Sequence, residues 1–138
     1  MSASPVFFVT PRHAVINSGG SANTDKTLAT ANNLVTAISG VAAGSIIERV
    51  VLVQNGTGAS TTSNIARFFI HDGTNFALVH EVNLGATVTP NTTTIGIRIT
   101  VPELVGIKLP SASHSLRVGF SFAAAGDTFA ITAQVADA

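Results

Sequence analysis

Residues 64–84, NIARFFIHDGTNFALVHEVNL, constrain this chain more than any other stretch. Two runs rich in Ile, Phe, Leu and Val flank the tetrapeptide DGTN at residues 72–75. Gly73 tolerates the positive φ that tight hairpin turns require, and Asp72 and Asn75 bond readily to nearby backbone. The segment therefore reads as an antiparallel β-hairpin. With Gly73 and Thr74 as the loop residues, His71 faces Phe76, Phe69 faces Leu78 and Arg67 faces His80. Ile65, Phe69, Phe76, Leu78 and Val82 then make one apolar face, and Phe68, Ile70 and Val79 make another. Either face can serve a core, and the one left over is too apolar for open water. By elimination that second face is the expected functional surface.

The rest of the chain repeats the extended pattern. Residues 46–54, IIERVVLVQ, put Ile46, Glu48, Val50, Leu52 and Gln54 on one side and Ile47, Arg49, Val51 and Val53 on the other. Both sides are largely apolar, which predicts a strand that is central or covered by another chain. Residues 94–101 alternate Ile95, Ile97, Ile99 and Val101 with polar or small neighbours, and Pro102 ends them. Residues 105–109 form a short run closed by Pro110. Residues 115–122 point Leu116, Val118, Phe120 and Phe122 inward; residues 129–135 do the same with Phe129, Ile131, Ala133 and Val135.

Residues 1–16 carry Val6, Phe7, Phe8 and Val9 between Pro5 and Pro11, and read as a first strand or as an extended arm ahead of a body at 17–138. Residues 27–38 mix a weak helical face with β-branched residues, and the β-branched residues favour a strand. Loops fall at 17–21, 39–45, 55–63 and 85–93, with a turn at 124–127. About eight strands separated by turn signals, with no long helix, predict an all-β, eight-stranded jelly-roll-like antiparallel β-sandwich with the hairpin inside one sheet. An immunoglobulin-like sandwich is the alternative, weakened by the missing Cys and Trp.

Charge limits what such a sandwich does. Charged residues are 10% of the 138, against roughly 25% in ordinary globular proteins. Thr, Ser and Asn can hydrate a surface, but so thin a supply of charge favours an oligomer or larger assembly. Five arginines and two lysines are dispersed singly and the net charge is zero, which argues against a nucleic-acid-tracking surface. Cysteine is absent, so disulfides and thiolate chemistry are excluded. The N-terminus lacks a basic segment ahead of its apolar run, unlike a signal peptide, and no apolar stretch approaches the ~20 residues of a membrane helix.

No motif for catalysis stands out. GxSxG, HExxH, P-loop and dinucleotide fingerprints are missing. Asp25, Asp127 and Asp137 make no calcium-loop pattern, and Glu48, Glu81 and Glu103 read as surface or interstrand charges. His71 and His80 lie in the hairpin beside Asp72 and Glu81. In this register the two histidines share a face but stand several positions apart on opposite strands, and Asp72 and Glu81 point to the other face, so an interface role is favoured over metal ligation. His13 and His114 have no evident partners. Neither a metal nor a cofactor is expected. The lack of Trp and Tyr counts against a carbohydrate-binding module. Asn55-Gly56-Thr57 and Asn91-Thr92-Thr93 match glycosylation sequons of the kind Asn/Thr-rich loops produce by chance.

The pattern IERVVLVQNGTG at 47–58, the hairpin FFIHDGTNFALVHEVNL, the Thr-rich loop, Leu109-Pro110 and the final strand resemble small β-sandwich structural proteins of tailed bacteriophages. The resemblance covers residues 47–135; residues 1–45 match nothing recognisable. It implies a non-enzymatic virion component, foremost a capsid decoration (cement) protein on the capsid surface, assembled in the host cytoplasm. The implied partners are the major capsid protein and further copies of the chain, with a trimer favoured, and neither nucleic acid nor membrane. The alternative is a tail, fibre or connector module binding a receptor or glycan through the loops at 55–63 and 85–94. A hydrolase ranks last. Phe7, Phe8, Phe68, Ile70, His71, Phe76, Val79 and His80 are the candidate interface residues.

Overall fold

A computed structural model describes residues 7–18, 21–56, 58, 63–91, 93–122 and 128–138. Within them run nine strands: β1 (Thr10–Ser18), β2 (Val35–Ser39), β3 (Ser45–Gln54), β4 (Asn64–His71), β5 (Phe76–Gly85), β6 (Arg98–Thr100), β7 (Lys108–Leu109), β8 (Ser115–Phe120) and β9 (Phe129–Asp137). The expected turn at 124–127, Val6, Gly19 and Gly20, Thr92, and much of the loop at 55–63 lie outside the described residues.

The β4–β5 hairpin is the closed tip of a long antiparallel ribbon. Beyond it the chain pairs with itself in nested order: β3 with β6 and β7, β2 with β8, β1 with β9. These pairs alternate between two sheets, ordered β1-β9-β3-β6 and β2-β8-β4-β5. A ribbon rolled so that successive pairs fall in opposite sheets is a jelly roll, the expected class. The strand beyond the expected eight, β7, takes up pairing with β3 at Ser45 and Ile46, beyond the end of β6. Between the sheets lies one core, in which Phe68, Phe129, Ile47, Leu52, Leu104 and Leu116 are fully buried. The alternation read in β8 and β9 holds: Leu116, Val118 and Phe120 point in, as do Phe129, Ile131, Ala133 and Val135.

Two bulges alter the expected faces, because one extra residue rotates everything beyond it. In β3 a bulge at Glu48 turns Ile47 inward with Val50 and Leu52, and leaves Glu48 and Arg49 both in solvent. In the hairpin His71 faces Phe76 and Phe69 faces Leu78 as expected, but the shift between Phe68 and Phe69 leaves Val79 as the extra residue. His80 consequently faces Phe68, and Arg67 faces Glu81 rather than His80. The core side of the hairpin is Ala66, Phe68, Ile70 and Val82, so Phe69 and Leu78 point outward.

Three expected strands are shorter than their patterns. From 27–38 only Val35–Ser39 is strand; the Asn- and Thr-rich part before it satisfies its backbone through side chains. From 94–101 only Arg98–Thr100 is strand, because Asn91 Oδ1 accepts the N–H groups of Thr93 and Thr94 and holds a turn, leaving Ile95 90% exposed. β8 stops at Phe120, where Asn64 Oδ1 takes the N–H of Phe122, and Phe122 faces outward instead of inward.

Candidate interaction surfaces

The outward face of β4 and β5 is covered by the chain itself. Residues 21–34, on the way from β1 to β2, make an excursion over the second sheet. Asn23 N–H donates to Phe120 O at 2.7 Å, and Phe76 N–H donates to Leu28 O at 2.7 Å, so the excursion reaches from β8 to the outer edge of β5. Arg67 Nη1 donates to both the backbone and side-chain oxygens of Asn23, at 2.9 and 3.0 Å. Arg67 Nε and Lys26 Nζ meet on Glu81 Oε1 at 3.0 and 3.1 Å. The hydrogen bond from Lys26, with that from Arg67, holds the Glu81 carboxyl below its ordinary range. Asn23 Nδ2 donates to Asp25 O and Asn32 O, which closes the excursion on itself. Beneath it Phe69 has no exposed surface although it points away from the core.

That cover corrects the reading by elimination. Both faces of the hairpin are apolar because one meets the opposite sheet and the other meets residues 21–34. What stays open is its rim: Leu78 and Val79 are 37% and 40% exposed. His71 and Phe76 are half-buried there, their rings 4.3 Å apart.

The other candidates are placed as follows. Phe68 is core and offers nothing to a partner, and Ile70 is half-buried on the same inner side. His80 lies over Phe68 with ring centroids 6.5 Å apart, and its Nε2 is 3.5 Å from Glu103 Oε2. His71 and His80 stand on opposite faces of the sheet, so they do not converge. Phe7 is 68% exposed and Val9 73%, whereas Phe8 is half-buried beside Gly44, Lys108 and Pro110. The segment they form leads into β1, which is a strand throughout Thr10–Ser18.

Registers bring the two groups of candidates to one end of the sandwich. Thr10 aligns with Asp137, Ser45 and Leu109 in the first sheet; His71 aligns with Ser115, Ser39 and Phe76 in the second. The loop from Leu109 to Ser115 joins the two rows, and Gly40 N–H donates to His114 O across it at 2.8 Å. The exposed segment 7–9 and the hairpin tip thus share an end.

Among the described residues no three His, Asp or Glu side chains are grouped so as to hold a metal ion. His114 Nδ1 shares a 2.8 Å hydrogen bond with Ser111 inside one tight turn. Asp72 accepts the N–H groups of Asn75 and Thr74, which lower its pKa and fix the hairpin tip. No helix among the described residues is long and apolar enough to cross a membrane.

The outer face of β9, β3 and β6 is a further surface; the double-sided apolarity of β3 had pointed to cover by another chain, although no candidate interface residue was drawn from it. Between Arg49 and Arg98 lies an open hollow of about 220 Å³, lined also by Val51, Val53, Thr132 and Gln134.

The geometry defines a jelly-roll β-sandwich of two antiparallel sheets. No family model and no curated protein matches the chain. Solved structures similar to it include a chain from the infectious bursal disease virus Gx strain, at TM-score 0.34 and 14% identity over 91% of this chain and 32% of that one. Another is from the T13 particle of the same virus, at TM-score 0.31 and 16% identity over 99% and 34%. The chain spans about a third of the length of each.

Proposed function

We propose that this chain is a non-enzymatic virion structural protein, a capsid decoration protein of a tailed bacteriophage that binds the capsid surface and bridges its subunits. The observation that carries this reading is the extended segment before β1, where Phe7 and Val9 hold large apolar side chains in solvent at 68% and 73% exposure. Side chains so placed stabilise nothing in the isolated molecule and gain free energy only when a partner removes them from water. The hairpin rim at the same end adds Leu78 and Val79. The low charge content and the resemblance of residues 47–135 to phage β-sandwich proteins support the same reading. A modest contact of this kind becomes strong when repeated over a symmetric shell, or when copies of the chain bind together as a trimer.

The test uses the intact protein and empty capsid particles of a tailed phage. Co-sedimentation at a fixed ratio, weakened at least tenfold by Phe7→Ser with Val9→Ser, is the expected result. A strict monomer by light scattering that also fails to sediment with particles would sink the proposal. Labelling confined to the tail would favour the receptor-binding alternative.

A further inference from the structure

The outer faces of the two sheets have similar make-up but different fates. On the second sheet, Phe69 stands beside Arg67, and residues 21–34 cover it. That cover supplies Arg67 with two oxygens of Asn23 and places Lys26 on Glu81. On the first sheet, one rung aligns Val15, Thr132, Val51 and Thr100, and the next aligns Val53 with Arg98. Arg49 flanks the first of these rungs, and Lys108 aligns with Ile46 further along. Val15 and Val53 are 64% and 37% exposed. Among the described residues no segment lies over this face, and no carboxylate pairs with Arg49, Arg98 or Lys108. Glu48 is the lone acid on it, turned out by the bulge.

An apolar stripe between unpaired cations specifies its occupant more closely than an apolar face alone. Carboxylates must meet the guanidinium groups, which bind them with directional, charge-assisted hydrogen bonds. Apolar or small side chains must lie over Val15 and Val53, since Val51 between them is already buried. The opposite sheet shows that an extended segment can fill such a role in this fold.

We propose that the outer face of β1, β9, β3 and β6 docks an extended, carboxylate-bearing segment of the capsid shell protein, as residues 21–34 cover the other sheet. This rests on the virion role proposed above and adds the face and the chemistry of its partner. The chain's two lysines report on the two faces, since Lys108 borders the open one and Lys26 lies in the cover of the other.

The experiment binds the full chain to the same particles, then couples lysines to nearby carboxylates with a zero-length carbodiimide and maps the links by mass spectrometry. Expected are links from Lys108 to Asp or Glu of the shell protein, and a loss of affinity of tenfold or more in the Arg49→Glu, Arg98→Glu variant. Arg49→Gln with Arg98→Gln, which removes charge without adding repulsion, should lose affinity several-fold and show a shallower salt dependence. Circular dichroism checks that each variant is folded. Folded variants that bind as tightly as the parent, or links confined to Lys26, would overturn the docking face and leave the virion role intact. Failure of the parent chain to bind particles would overturn both.

Discussion

Asp137 joins three strands. Its carboxylate accepts Arg12 Nε at 2.8 Å, Arg12 Nη2 at 3.1 Å and Ser45 Oγ at 2.6 Å, while the residue is only 8% exposed. The hydrogen bond from Arg12, aided by Ser45, lowers its pKa against the opposing effect of burial. A lowered folded pKa stabilises the fold above the unfolded value of about 3.9, and the contribution is lost as pH falls through the lower folded value. Asp137→Asn should therefore cost about 2 kcal/mol at pH 7 and flatten the acid limb of stability, read by urea unfolding at pH 7 and pH 3. Glu81→Gln should cost less, about 0.5 kcal/mol, because its two cations are paired near the surface. The importance of Asp137 was illegible in the sequence because Arg12 lies 125 residues away. His71 and His80 failed differently: a single bulged residue, invisible to periodicity, put them on opposite faces.

At the scale of elements, the hairpin was readable because its turn chemistry and strands are contiguous. The excursion at residues 21–34 was not, since Thr and Val in it compete with Asn side chains that close a loop instead of leaving the backbone to a ladder. Its role as a cover makes Phe69 a second kind of core residue. Phe69→Ala should destabilise by about 3–5 kcal/mol, much as Phe68→Ala does, although the two side chains point to opposite faces; chemical denaturation of both variants checks this. Gly119, in β8, supports the same cover. A methyl group there would stand 2.6 Å from Leu34 Cδ2 and 3.0 Å from Asn23 Cβ. Leu34 can turn away, but Asn23 is held by Phe120 and Arg67. Gly119→Ala should thus cost about 1–3 kcal/mol, with faster hydrogen exchange at the Phe76 amide, which the cover protects.

For the whole molecule, alternation in five or so segments sufficed to indicate a two-sheet fold, because each strand's inward row had to be apolar for a common core to exist. It could not say what lies over the outward rows, since a covering chain and a covering loop ask for the same residues. The N-terminal stretch divides in a checkable way. Removing residues 1–9 leaves the β1–β9 ladder in place, so the thermal midpoint should hold while particle binding falls; removing residues 1–16 takes most of β1 and should unfold the protein. The nested ribbon also governs time. Arg67 meets Glu81 only 14 positions along the chain, but Arg12 must find Asp137 across 125. The entropy of closing those loops favours zipping from the hairpin outward, at the slow rates of non-local β proteins. In stopped-flow experiments hairpin substitutions should retard refolding, and Asp137→Asn should mainly hasten unfolding. The pairing that completes last is then the one beside Phe7 and Val9, so a chain still folding offers no finished platform to a neighbour, and association waits for its maturity.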